Sequence, residues 1–174
     1  GLSLSISQHL VKRREATVAD TRCEHNGNHS PMKSYEPFRT ETPVESESRH
    51  ISTLIAARPS AVYDFAANPD NLPRWAAGLA QAEVRRDGED LVAASPMGDV
   101  RVRFAPPNDF GVLDHDVTLP SGEVVNNPLR VLDHPDGAEV VFTVRQLAAS
   151  DEDFARDCAA VARDLEALRE LVEG

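Results

Sequence analysis

The chain has 174 residues, 41% hydrophobic and 27% charged, a balance that excludes a wholly disordered polymer and suits one globular core. Its 29 acidic and 18 basic residues leave a net charge of -11, which repels phosphate backbones and anionic lipid surfaces, so nucleic acid is not an expected partner. The two cysteines, Cys23 and Cys158, cannot build a disulfide framework, and no apolar run approaches the ~20 residues of a membrane-spanning helix; a reducing, cytoplasmic setting without membrane insertion is expected.

Residues 1 to 48 contain long stretches without apolar periodicity, are rich in Ser, Thr, Glu, His and Asn, and carry Pro31, Pro37 and Pro43. Such a composition buries too little apolar surface to offset the entropy of ordering, so a flexible N-terminal extension is expected over 1–48 and a folded domain over 49–174. Both lysines, Lys12 and Lys33, fall in the extension, whereas the remainder uses arginine as its only strongly basic residue. Met32 is one candidate start of the natural chain, with the preceding residues an upstream or added segment; a genuine tail is the other reading. Short patterns there (Gly1 with Ser5, the Asn28-His29-Ser30 sequon, Cys23 and His25 with His29) lack the structural context that gives such motifs meaning.

From His50 the chain alternates: Ile51, Thr53, Ile55 and Ala57 share one side of a strand that Pro59 ends. Ser60 is placed to cap a short helix with Val62, Phe65 and Ala66 on one face, and Asn68-Pro69-Asp70-Asn71 separates it from a second around Pro73 to Leu79. Six strands follow: Ala82 to Arg86, Glu89 to Ser95, Asp99 to Phe104, Gly111 to Leu119, Glu123 to Leu132 and Ala138 to Leu147. Turn chemistry at Asp87-Gly88, Met97-Gly98, Pro120-Ser121-Gly122 and His134 to Gly137 makes most of them an antiparallel meander. Last comes an amphipathic helix, with Phe154, Cys158, Val161, Leu165, Leu168 and Val172 in one stripe, Ser150 as cap and Asp151, Glu152 and Asp153 on the positive end of its dipole.

Hairpin geometry then gives registers. Centring the first turn on Asp87-Gly88 pairs Val84 with Leu91 and Ala82 with Ala93; centring the second on Met97-Gly98 pairs Leu91 with Phe104, Ala93 with Val102 and Ser95 with Val100. Arg101 and Arg103 fall on the outer face, and the small residues Ala82, Ala93 and Ser95 leave room on the inner one. A three-residue loop at Pro120-Ser121-Gly122 pairs His115 with Asn127, Val117 with Val125 and Leu113 with Leu129, and the next hairpin carries the same face to Val140, Phe142 and Val144. His115 and Asn127 thereby become polar neighbours on an aliphatic inner face, either a structural pair that satisfies itself or the polar contact point of a cavity, while strand alternation sends Asp114 and Asp116 outward.

The stretch ISTLIAARPSAVYDFAANPDNLPRW, with the order of elements around it, resembles the START-like superfamily, which includes polyketide cyclases and dehydrases, lipid-transfer domains and birch-pollen-allergen proteins. The resemblance covers residues 50 to 173. It implies an α+β helix-grip fold: a curved antiparallel sheet wrapped around the long C-terminal helix, with an apolar cavity between them and two short helices after the first strand. It also implies that Tyr63 and Trp75, on those short helices, border the cavity. Members of the superfamily range from carriers to enzymes to chaperone-associated modules, so the resemblance fixes no reaction.

Other chemistries find no support in the residues. Cys158 lies on the helix stripe without an activating neighbour and reads as a core thiol. His50, His115 and His134 form no ligand-spaced pair, and there is no Gly-rich phosphate loop, so neither metal nor cofactor is expected. The leading expectation is a binding or carrier protein for a small hydrophobic molecule, a lipid or similar compound, held by His115, Asn127, Trp75, Tyr63, Ala93, Val102, Phe104, Leu129 and Phe142. Two alternatives stand beside it: a polyketide cyclase-like or dehydrase-like enzyme with His115 as general acid or base, and a protein-interaction module whose cavity is vestigial.

Overall fold

A computed structural model of the chain describes residues 46–79, 82–95 and 98–174. Strand β1 (Ser48–Ile55) leads into helix α1 (Pro59–Ala67), the single turn α2 (Leu72–Trp75) and a 3-10 turn (Ala77–Leu79). Seven strands follow, β2 (Val84–Asp87), β3 (Asp90–Ser95), β4 (Gly98–Phe104), β5 (His115–Thr118), β6 (Val124–Asn127), β7 (Leu129–His134) and β8 (Gly137–Arg145), and then helix α3 (Asp151–Glu173). The motifs of the first 45 residues lie outside the described residues. Ser46 and Glu47 are tied to the end of β8, since the Leu147 N–H donates to Ser46 Oγ at 3.1 Å and the Gln146 N–H to the Glu47 carbonyl at 2.8 Å.

Ser60 does not cap α1. Arg58 occupies the N-cap position without a side-chain bond, Pro59 opens the helix and Ser60 sits in its first turn. Proline suits that opening position because its fixed φ is already helical and its missing N–H would have no partner there. At α3 the expected cap is present, with Ser150 Oγ accepting from the Asp153 N–H at 3.2 Å.

The strands form two antiparallel ladders, β1-β8-β7 and β2-β3-β4-β5-β6. The segment read from sequence as one strand, Glu123 to Leu132, is two, because Pro128 has no N–H to give a ladder and the chain changes ladder there. The Leu129 N–H next to the break donates to Asp114 Oδ1 at 2.9 Å, which turns Asp114, expected to point into solvent, back onto the chain and beside Arg130. Bonds from the Leu113 N–H to the Leu129 carbonyl and from the Val131 N–H to the Gly111 carbonyl join the ladders into one curved surface. The approach at Gly111 is so close that a Cβ would lie 2.0 Å from the Val131 oxygen, and its φ of +68° is also one that glycine alone adopts cheaply.

Helix α3 crosses the concave side, against β1 and β8, and touches α1 and α2. Its stripe is buried over most of its length: Phe154, Cys158, Val161, Leu165 and Leu168 are within the core, with Leu165 and Leu168 at 0% exposure, while Val172 in the last turn is only partly buried. Glu173 Oε1 accepts from the Ala56 N–H at 2.8 Å, so the last turn of the helix is tied to the end of β1.

Candidate functional site

Between sheet and helix lies a cavity of about 120 Å³. Its walls come from five directions: Leu72, Trp75 and Leu79 of the short helical segment, Val100, Val102 and Phe104 of β4, His115 and Val117 of β5, Asn127 of β6 with Phe142 of β8, and Val161, Asp164 and Leu165 of α3. Of the nine residues expected from sequence, the structure brings six together there: His115, Asn127, Trp75, Val102, Phe104 and Phe142. Ala93 and Leu129 are buried in the core but do not line this cavity. Tyr63 lies apart, on a second pocket of about 830 Å³ beside α1 and β7, where its hydroxyl accepts from the Asn108 N–H at 3.1 Å and braces the loop before β5.

The placement of His115 beside Asn127 follows from turn chemistry. Gly122 takes φ +86° in the three-residue loop, and the ladder pairs His115 with Asn127 and Val117 with Val125. The two side chains do not bond each other. His115 Nδ1 lies 3.1 Å from the Leu113 carbonyl, and since a carbonyl oxygen only accepts, Nδ1 carries the proton and Nε2 is left as an acceptor. The imidazole is flanked by Phe104, with ring centroids 4.8 Å apart, and meets Phe142 edge-on at 5.9 Å. Burial pushes its pKa below the ordinary histidine range, opposed by the Leu113 carbonyl and by Asp116, so the ring is neutral at pH 7. Asn127 is 4% exposed, and its carboxamide, unlike the Trp75 indole nitrogen, is not sealed from solvent but opens onto the cavity.

Two further polar groups adjoin the cavity. The indole Nε1 of Trp75 is buried without a hydrogen-bond partner among the described residues, a condition that costs ~1–3 kcal/mol. Asp164, which the sequence reading did not single out, accepts from the Ala77 N–H at 3.2 Å and so fastens the 3-10 turn to α3. Burial raises its carboxyl pKa to about 6, against the lowering effects of that N–H and of Arg163. The signal that could have found it is its position three residues after Val161 and one before Leu165, at the border of the apolar stripe. Among the described residues no group of His, Cys, Asp and Glu could hold a metal ion, and no helix is long and apolar enough to cross a membrane. Cys158 is a buried free thiol whose pKa burial raises.

No protein-family model matches the chain, and no curated protein matches it in sequence. Solved structures do match in fold. An uncharacterised protein from Bacillus thuringiensis superimposes with a TM-score of 0.56 at 17% identity, covering 72% of this chain and 98% of its own. The protein KanY gives 0.54 at 15% identity over 74% and 99%. An AHSA1-like protein from Rhizobium etli gives 0.53 at 21% identity over 75% and 84%. These likenesses, with the sheet and helix described above, establish the helix-grip fold that START-like proteins share.

Proposed function

We propose that the domain binds or carries a small hydrophobic molecule in the cavity between its sheet and its C-terminal helix. One observation carries this reading: a mainly aliphatic and aromatic cavity has, besides Asp164, His115 Nε2 and the Asn127 carboxamide at its wall, neither bonded to the other. A purely structural polar pair would bond to each other, as buried polar groups mostly do, whereas these two face the cavity. A cavity of about 120 Å³ has room for about one ring or its equivalent in size, near the ~150 Å³ of a dry protein cavity known to accept benzene.

The reading is tested by mass spectrometry of molecules released from natively purified protein, then by titrating the recovered compound into His115→Gln and Asn127→Ala. Weaker binding with a nearly unchanged melting temperature supports it. Intact binding with lowered stability in both variants would instead make the pair a structural feature.

A second reading is favoured by the coexistence of a neutral imidazole and the raised Asp164 carboxyl at one cavity: a cyclase-like or dehydrase-like enzyme in which His115 takes or returns a proton on an enolisable substrate. Deuterium exchange at the α-carbon of a small cyclic ketone, measured with the parent protein and with His115→Gln, separates it from simple carriage; exchange no faster than in buffer would exclude it for that substrate class.

A further inference from the structure

Resting on the reading of the cavity as a ligand site, we infer that it selects a neutral one-ring molecule bearing a hydroxyl, of the phenol type, and rejects carboxylates. The hydroxyl follows from two groups placed side by side. Nδ1 of His115 is committed to the Leu113 carbonyl, so Nε2 offers a lone pair and calls for a donor. Across the ladder, Asn127 offers both N–H donors and an acceptor oxygen. Directly opposed residues of an antiparallel pair hold their Cβ atoms ~5 Å apart, so one ligand oxygen can lie within reach of both. A hydroxyl is the smallest group that gives a proton to one and accepts a proton from the other. A ketone would leave Nε2 unmet, and a hydrocarbon would leave both groups unmet, at the cost of burying them dry.

The exclusion of acids follows from charge. Among the described residues no lysine or arginine lines the cavity, and its one ionisable acid is Asp164. An incoming carboxylate would lose its water, meet no counter-ion and face a carboxyl of the same sign in a poorly polarisable surrounding. The ring follows from size and from the walls: the volume is near that of one ring, and Trp75, Phe104 and Phe142 supply faces and edges for it.

The test uses the full chain at pH 7.5 and three probes of nearly equal size, phenol, toluene and benzoate, with dissociation constants from ligand-observed NMR or calorimetry. Phenol is expected to bind at least about tenfold more tightly than toluene, with benzoate weaker than either. In His115→Phe and Asn127→Val, each checked for an unchanged circular-dichroism spectrum and cooperative melting, phenol is expected to fall to the toluene level while toluene is unaffected. Two variants on different strands keep the test decisive if one fails to fold. Equal binding of phenol and toluene would overturn the hydroxyl assignment while leaving the cavity a ligand site, as would a phenol affinity unchanged in both variants. Tighter binding of benzoate would overturn the exclusion of acids. Binding of none of the three would overturn this inference and the cavity reading together.

Discussion

At the scale of single residues, burial decides what the polar groups can do. Asp164 has a folded-state pKa of about 6 against ~3.9 for an unfolded aspartate, so the folded protein holds its proton more tightly than the unfolded chain does. The stability this gives is complete below about pH 4 and is lost as pH rises through about 6. Asp164→Asn keeps an oxygen for the Ala77 N–H but cannot ionise. It is therefore expected to melt above the parent at pH 8, with the difference vanishing below pH 4; a difference that does not vary with pH would show that the carboxyl is not held in the poorly solvated setting described here. Glycines make a second residue-scale contrast. Gly111→Ala adds a clash with the Val131 carbonyl to a strained φ, whereas Gly122→Ala has the strained φ with nothing within 4 Å. The second should cost about 1–2 kcal/mol and the first clearly more, measured by urea unfolding.

Among the elements, α3 holds two leucines with the same burial and different neighbours. Leu165 and Leu168 are both fully buried, but only Leu165 lines the cavity. Each change to alanine is expected to cost ~2–5 kcal/mol in chemical denaturation. Only Leu165→Ala should also enlarge the ligand space and raise the affinity for a two-ring probe such as naphthol. The stripe that places both was legible in the sequence, because a period near 3.6 over six turns has one interpretation. The hairpins were legible in proportion to how tightly their turns constrain them. The three-residue loop before Glu123 gave its register correctly, and the hairpin at His134 to Gly137 carried the inner face to Val140, Phe142 and Val144, all three buried, with His134 itself paired to Gly137 in the ladder. The first two hairpins differ by two residues from expectation: Asp87 pairs with Asp90, which places Val84 opposite Ala93, and Ser95 pairs with Gly98, which places Leu91 opposite Val102. A glycine beside a turn fits either of two positions, so its presence does not fix the centre. Because the slip is even, alternation survives and the face assignment with it: Leu91, Ala93, Val100 and Val102 are buried, and Arg101 and Arg103 are outside, paired with Asp87 and Asp90.

For the whole molecule, the sequence showed that sheet and helix must pack together but not how the sheet divides or where its edge begins. The division at Pro128 and the return of Asp114 to the Leu129 N–H are long-range consequences of one missing donor, and no local pattern announces them. The same holds for the start of the domain. Ser46 and Glu47 look like tail in composition, yet they extend the β1 side of the β1-β8 pairing by accepting from Leu147 and Gln146. A chain beginning at Ser46 is therefore expected to match the unfolding midpoint of the full 174 residues. One beginning at Arg49 should be less stable by about 1–3 kcal/mol, the net worth of the two bonds given by Gln146 and Leu147, the exposed Arg49–Glu47 ion pair adding little. Ending the chain before Ser150 removes α3 and uncovers the apolar concave face of the sheet, so cooperative unfolding by calorimetry should disappear. A sharp transition in that last truncation would mean that the sheet closes on itself without the helix, and the cavity would then have lost the wall that Val161, Asp164 and Leu165 provide.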